Sequence, residues 1–154
     1  MKLKRIGLWA AAIAVVTSTG LVTLERGYSD ENYRATKCTL ATLKGRYLFA
    51  GTAATVPPAG QAPTLSASAG YHIFRGDGTG TDFVTLVVNG NVVPVSSPTP
   101  VEYTLNSDCT GTYTILASGG TSDIFVSPNG DELALISTTP GAVHANYQRR
   151  VAPR

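Results

Sequence analysis

The chain has 154 residues, 12 of them Lys or Arg and 10 Asp or Glu, with 14% charged and 43% hydrophobic residues, a length that suits one domain with a core of ordinary size. Sixteen glycines and nine prolines, with abundant Thr and Val, suit short strands joined by tight turns and exclude a helical bundle. Lys2, Lys4 and Arg5 precede an apolar segment, so the rest of the chain keeps nine of the twelve basic residues against ten acidic ones, a net of about −1, with no basic excess for a nucleic-acid backbone or a membrane surface.

Residues 1–24 read as an export segment. MKLKR is a positive leader, Ile6–Leu24 carries no charge, and Ile6–Val16 has the length of a signal-peptide apolar region. The whole uncharged run is also just long enough to span a bilayer. Thr17, Ser18, Thr19 and Gly20 are small enough to mark a cleavage region, but no A-x-A follows the apolar run. Two outcomes stay open: a signal peptide that is removed, or a signal anchor with its positive end in the cytoplasm. Either way the domain is exported, periplasmic or extracellular, and touches a membrane only through this segment. Residues 25–37 are polar and aperiodic, a linker, and the domain is expected over 38–150.

From Lys44, KGRYLFAG alternates Tyr47 and Phe49 against Arg46 and Leu48, a first strand. Thr52–Gly70, rich in Ala, Pro, Ser and Thr, reads mostly as a long loop. Tyr71–Arg75 is a strand stopped by Gly76-Asp77-Gly78-Thr79-Gly80, and Thr81–Val88 is another. The glycine cluster lacks the following helix that a phosphate cradle requires. Asn89-Gly90 is a strong hairpin signal, and Pro94 marks the return strand as an edge or a bulge. After a turn at Ser96–Pro100, Val101–Leu116 forms a hairpin with Cys109 in its turn. Ser122–Val126, Glu132–Ser137 and Ala142–Arg150 complete eight or nine strands. Short successive connections predict an all-β, antiparallel up-and-down barrel of about eight strands, with a β-sandwich as the alternative.

In an exported chain the two cysteines, Cys38 and Cys109, are expected to form a disulfide. Closing a loop of roughly 70 residues stabilises by about 4 kcal/mol on the chain-entropy argument. Neither cysteine has the company that a metal site or a catalytic thiol needs.

Several motifs together resemble a known group. They are Gly45-Arg46-Tyr47-Leu48-Phe49 after a cysteine, Phe74-Arg75-Gly76-Asp77-Gly78-Thr79-Gly80, Asp108-Cys109-Thr110-Gly111-Thr112-Tyr113, and a last strand ending in Arg149-Arg150. In these the chain resembles small secreted bacterial proteins of unknown function with a calycin-like or allene-oxide-cyclase-like barrel. The resemblance spans Cys38 to Arg150 and implies a cup-shaped barrel able to hold a small apolar molecule. It carries over no ligand-contacting residue, because the shared motifs are strand and turn grammar.

The ionisable residues available for chemistry are His72, His144, Glu102, Asp82, Asp123, Glu132 and Arg75, and no spacing among them forms a hydrolase or metalloenzyme motif. No metal or other cofactor is implied. His72 shares a strand face with Phe74, and His144 one with Asn146 and Gln148. The plain reading makes both partly exposed surface residues; as catalytic candidates they stand with Glu102. Alternation pairs Tyr103 with Leu105 inward and leaves Glu102 on the wet face, an assignment that a polar lumen would reverse. Tyr47, Tyr71, Tyr103, Tyr113 and Tyr147 fall on strands and combine an apolar body with a polar tip, so they are the candidate pocket wall.

The expectation is an exported, non-enzymatic barrel that binds a small apolar ligand or serves in the cell envelope. One alternative is a barrel isomerase or cyclase of the allene-oxide-cyclase type. The other is a solid structural or interaction domain. No residue pattern sets an oligomeric state.

Overall fold

A computed structural model describes residues 37–152 apart from residue 96. The expected export segment, residues 1–24, and nearly all of the linker at 25–37 lie outside the described residues. Nine strands follow a short 3-10 turn at Leu40–Leu43: β1 Gly45–Thr55, β2 Thr64–Phe74, β3 Thr79–Val88, β4 Asn91–Val93, β5 Thr99–Tyr103, β6 Thr110–Ile115, β7 Gly120–Val126, β8 Glu132–Ser137 and β9 Ala142–Ala152.

Eight of the nine strands close a barrel. Each pairs antiparallel with its chain neighbour around the ring, β9 returns to β1, and β3 passes directly to β5. The short β4 is the extra strand, paired with the far end of β3 from Leu86 to Val88, while β5 takes the near end from Thr79 to Asp82. The chain crosses between the two through Pro94, Val95 and a cis Ser97–Pro98 bond. The ring closes through β9–β1 and β3–β5 pairing, which makes it a barrel and not the alternative sandwich.

The tightest turns follow their residues. Asn89 and Gly90 have φ of 47° and 82°, the paired left-handed conformation of a two-residue hairpin turn. In the β5–β6 turn Cys109 has φ 68°. The Asp108 carboxylate braces that turn by accepting the Thr110 N–H at 3.0 Å and its hydroxyl at 2.7 Å.

The segment Thr52–Gly70, expected to be mostly loop, is instead largely strand, since β1 runs on to Thr55 and β2 begins at Thr64. The two pair residue for residue from Gly45–Phe74 to Thr55–Thr64. Their inward positions here are Gly51, Ala53, Ser66 and Ser68, too small to give a hydrophobic period that a sequence reading can detect.

Those small residues also divide the barrel in two. At one end the Leu40–Leu43 turn plugs the opening, and Leu43, Tyr47, Phe74, Val101, Tyr103, Ile124, Val126 and Leu133 pack into a continuous core. Cys38 and Cys109 belong to that core and form a disulfide with Cα atoms 5.0 Å apart, fixing the plug to the β5–β6 turn. At the other end the barrel is hollow.

Candidate functional site

The hollow half encloses a cavity of about 390 Å³, within the range of small-molecule sites. Phe49, Val84, Leu86, Ile115 and Leu135 give it an apolar wall. Val95, Ala117 and Ser118, from the β4–β5 connection and the β6–β7 turn, also line it. Its titratable groups, with Asn146, come from four strands that alternation turns inward: His72 on β2, Asp82 on β3, Tyr113 on β6, and His144 with Asn146 on β9.

β9 inverts the usual arrangement. Val143 and Tyr147 face outward, 62% and 56% exposed, while Gln148 is fully buried. Side-chain contacts run along the inner row from His144 Nε2 to the Asn146 amide at 3.4 Å, and from the Gln148 amide, which donates to Asn146 Oδ1 at 2.9 Å.

The polar centre lies between the solid and hollow halves. His72 and Asp82 are direct cross-strand partners, and both are buried. The Tyr113 hydroxyl donates to Asp82 Oδ2, and its ring stacks on the His72 imidazole with centroids 5.3 Å apart. Phe49 lies on the imidazole too, at 4.4 Å.

Burial sets the charges. Desolvation lowers the His72 pKa to about 4, with the neighbouring Gln148 side chain pulling the other way and His144 adding a smaller depression. Desolvation raises the Asp82 pKa to about 6, against the opposing Tyr113 hydrogen bond. Tyr113 is held well above the ordinary phenol range, first by desolvation and then by the Asp82 charge. Burial also lowers His144. At neutral pH both histidines are therefore uncharged and Asp82 is ionised. The 3.4 Å approach of His72 Nε2 to Asp82 Oδ1 is thus a contact between a neutral ring and a carboxylate rather than an ion pair. His72 Nδ1, Asp82 Oδ1 and Gln148 Oε1 are buried without a hydrogen-bond partner.

The structure separates the candidate residues of the sequence. His72 and His144 line the cavity instead of the surface: His72 shares the inward face of β2 with buried Phe74, and on β9 the parity that carries Asn146 and Gln148 faces inward. Glu102 is exposed and Tyr103 is buried, as simple alternation predicts. Among the five tyrosines only Tyr113 is at the cavity. Tyr47 and Tyr103 belong to the solid core. The Tyr103 hydroxyl donates to the Leu40 carbonyl and accepts the Gly76 N–H, each at 3.0 Å, while Tyr47 donates to the Gly130 carbonyl. Tyr71 stacks outside on Phe83 under the Arg46 guanidinium, and Tyr147 meets Glu132 on the outer face.

Asp82 is the residue whose role the sequence reading did not single out. Its signal was an acid at the inward parity of an otherwise apolar strand, in step with Val84 and Leu86. Among the described residues no group of three His, Cys, Asp or Glu could hold a metal. Comparison with known protein families, curated proteins and solved structures finds no match.

Proposed function

We propose that the protein is an exported β-barrel module that holds a small, mostly apolar molecule in the hollow half of the barrel, in the manner implied by the calycin-like resemblance. The observation that carries this reading is the cavity itself. A chain that only needed a solid core would place large side chains at Gly51, Ala53, Ser66 and Ser68, where this one has small residues. About 390 Å³ of lined space is several times what a water needs. The disulfide fits an oxidising compartment outside the cytoplasm, which supports the export reading.

The direct test is native mass spectrometry of protein purified from its own host, where a co-purifying small molecule is expected. In parallel, purified protein should bind the neutral apolar dye Nile red, and Val84→Phe, which fills the cavity from its wall, should weaken that binding about tenfold or more. Equal dye binding by a folded Val84→Phe variant would overturn the reading.

A further inference from the structure

We infer that the cavity selects small lipophilic cations, molecules with one protonated amine on an apolar body, and that the Asp82 carboxylate is the counterion. The inference rests on the cavity-binding reading and deepens it. Among the described residues that line the cavity Asp82 is the one carboxylate, and none is Lys or Arg.

A lone carboxylate in an apolar chamber is unfavourable unless something neutralises it or supplies hydrogen bonds. Within the protein Asp82 receives only part of that. Oδ2 accepts from the Tyr113 hydroxyl, while Oδ1 accepts no hydrogen bond. The facing groups cannot complete the balance at neutral pH. His72 on β2 and His144 on β9 are uncharged there, and Tyr113 on β6 keeps its proton. The positions that β1, β5, β7 and β8 contribute to the cavity wall, Phe49, Thr99, Ser122 and Leu135, carry no titratable group.

An ammonium supplies what is missing, a positive charge with several N–H donors. The surroundings suit it. The apolar wall suits a hydrocarbon body. A carboxylate ligand would meet like charge and find no basic partner. A neutral alcohol could satisfy the hydrogen bond but not the charge.

The test uses the domain with its disulfide intact and three probes of similar shape: 2-phenylethylamine, 2-phenylethanol and 3-phenylpropionate. At pH 7.5 the amine is expected to bind about tenfold or more tightly than the alcohol, with the propionate weakest. Asp82→Asn should remove the amine's advantage over the alcohol. Because that variant changes a buried group, the wild-type protein provides a second measurement. Calorimetric titration of the amine at a series of pH values from 4.5 to 6.5, each in two buffers of different ionisation heat, should show proton release where Asp82 titrates, since the cation favours ionised Asp82. Nile red binding together with equal affinity for amine and alcohol, strongest binding of the propionate, or no proton release would overturn cation selection while leaving the cavity reading intact. Loss of Nile red binding as well would fall on the cavity reading.

Discussion

Asp82 and His72 face each other directly across the β2–β3 ladder, and burial moves their pKa values in opposite directions, to about 6 and about 4. The consequence for stability follows from proton linkage. Between its ordinary 6.5 and about 4, His72 binds protons more readily in the unfolded chain, so its contribution is fully present above 6.5 and is lost as pH falls. Between about 6 and its ordinary 3.8, Asp82 binds protons more readily when folded, so its contribution grows as pH falls and is lost above 6. Each shift corresponds to roughly 3 kcal/mol, and in the shared window the two nearly offset.

Single substitutions should expose the hidden slopes. Relative to wild type, Asp82→Asn should lose roughly 3 kcal/mol of stability between pH 7 and pH 4, and His72→Gln should gain a similar amount over the same fall. Urea unfolding at a series of pH values measures both. His144 is common to all three proteins and drops out of the differences. Parallel pH profiles for wild type and either variant would show that the pair is not perturbed in this way.

The disulfide joins residues 71 apart in sequence, so reduction, or Cys38→Ala with Cys109→Ala, should cost about 4 kcal/mol on the chain-entropy argument. Denaturant midpoints with and without reductant measure the loss. Mass analysis of the native protein without reduction should show two hydrogens fewer than the free-thiol mass. Full alkylation of both cysteines in native protein would contradict the linkage.

Much of the barrel was legible in the sequence, and the unread parts share a physical cause. Strands with large inward residues stood out: Thr99–Tyr103 alternates buried and exposed at every step, and so does Thr121–Val126. The ends of β1 and β2 did not, because a hollow lumen needs small inward residues and these leave no hydrophobic period. His144 was misplaced for the complementary reason, whereas His72 shares its face of β2 with Phe74, and the inward turn of that apolar residue already placed it inside. On β9 the polar parity faces the lumen, so the rule that apolar residues point inward gives the wrong face. A filled core would have made both features readable.

Gly70 is a place where β2 and β3 approach too closely for any side chain. A Cβ there would lie 1.9 Å from the Phe83 carbonyl oxygen, whereas Gly60, in a left-handed loop conformation at φ 93°, has open space around it. Gly70→Ala should cost about 3 kcal/mol or more, through displacement of the ladder. Gly60→Ala should cost about 1 kcal/mol, from backbone strain alone. Thermal or urea unfolding of the two variants compares them, and a loss at Gly70 no larger than that at Gly60 would show that the strand approach imposes no such constraint.

Arg150 ties three parts of the solid end together. Its guanidinium donates to the Tyr47 hydroxyl at 2.6 and 3.0 Å, to the Thr42 carbonyl of the plug at 2.5 Å, and to Asp131 in the β7–β8 turn at 3.3 Å. Asp131 is mostly exposed, so its salt bridge contributes little. The larger effect is on buried acceptors, since Arg150→Met keeps the packed stem but strips donors from the Thr42 carbonyl and the Tyr47 oxygen. The expected loss is roughly 3 kcal/mol, against less than about 1 kcal/mol for Asp131→Ala. The plug is the part released, so amide exchange in Leu40–Leu43 should accelerate in Arg150→Met while the β2–β3 ladder keeps its protection. Uniform acceleration across the barrel would mean that Arg150 supports the whole fold and does not specifically anchor the plug.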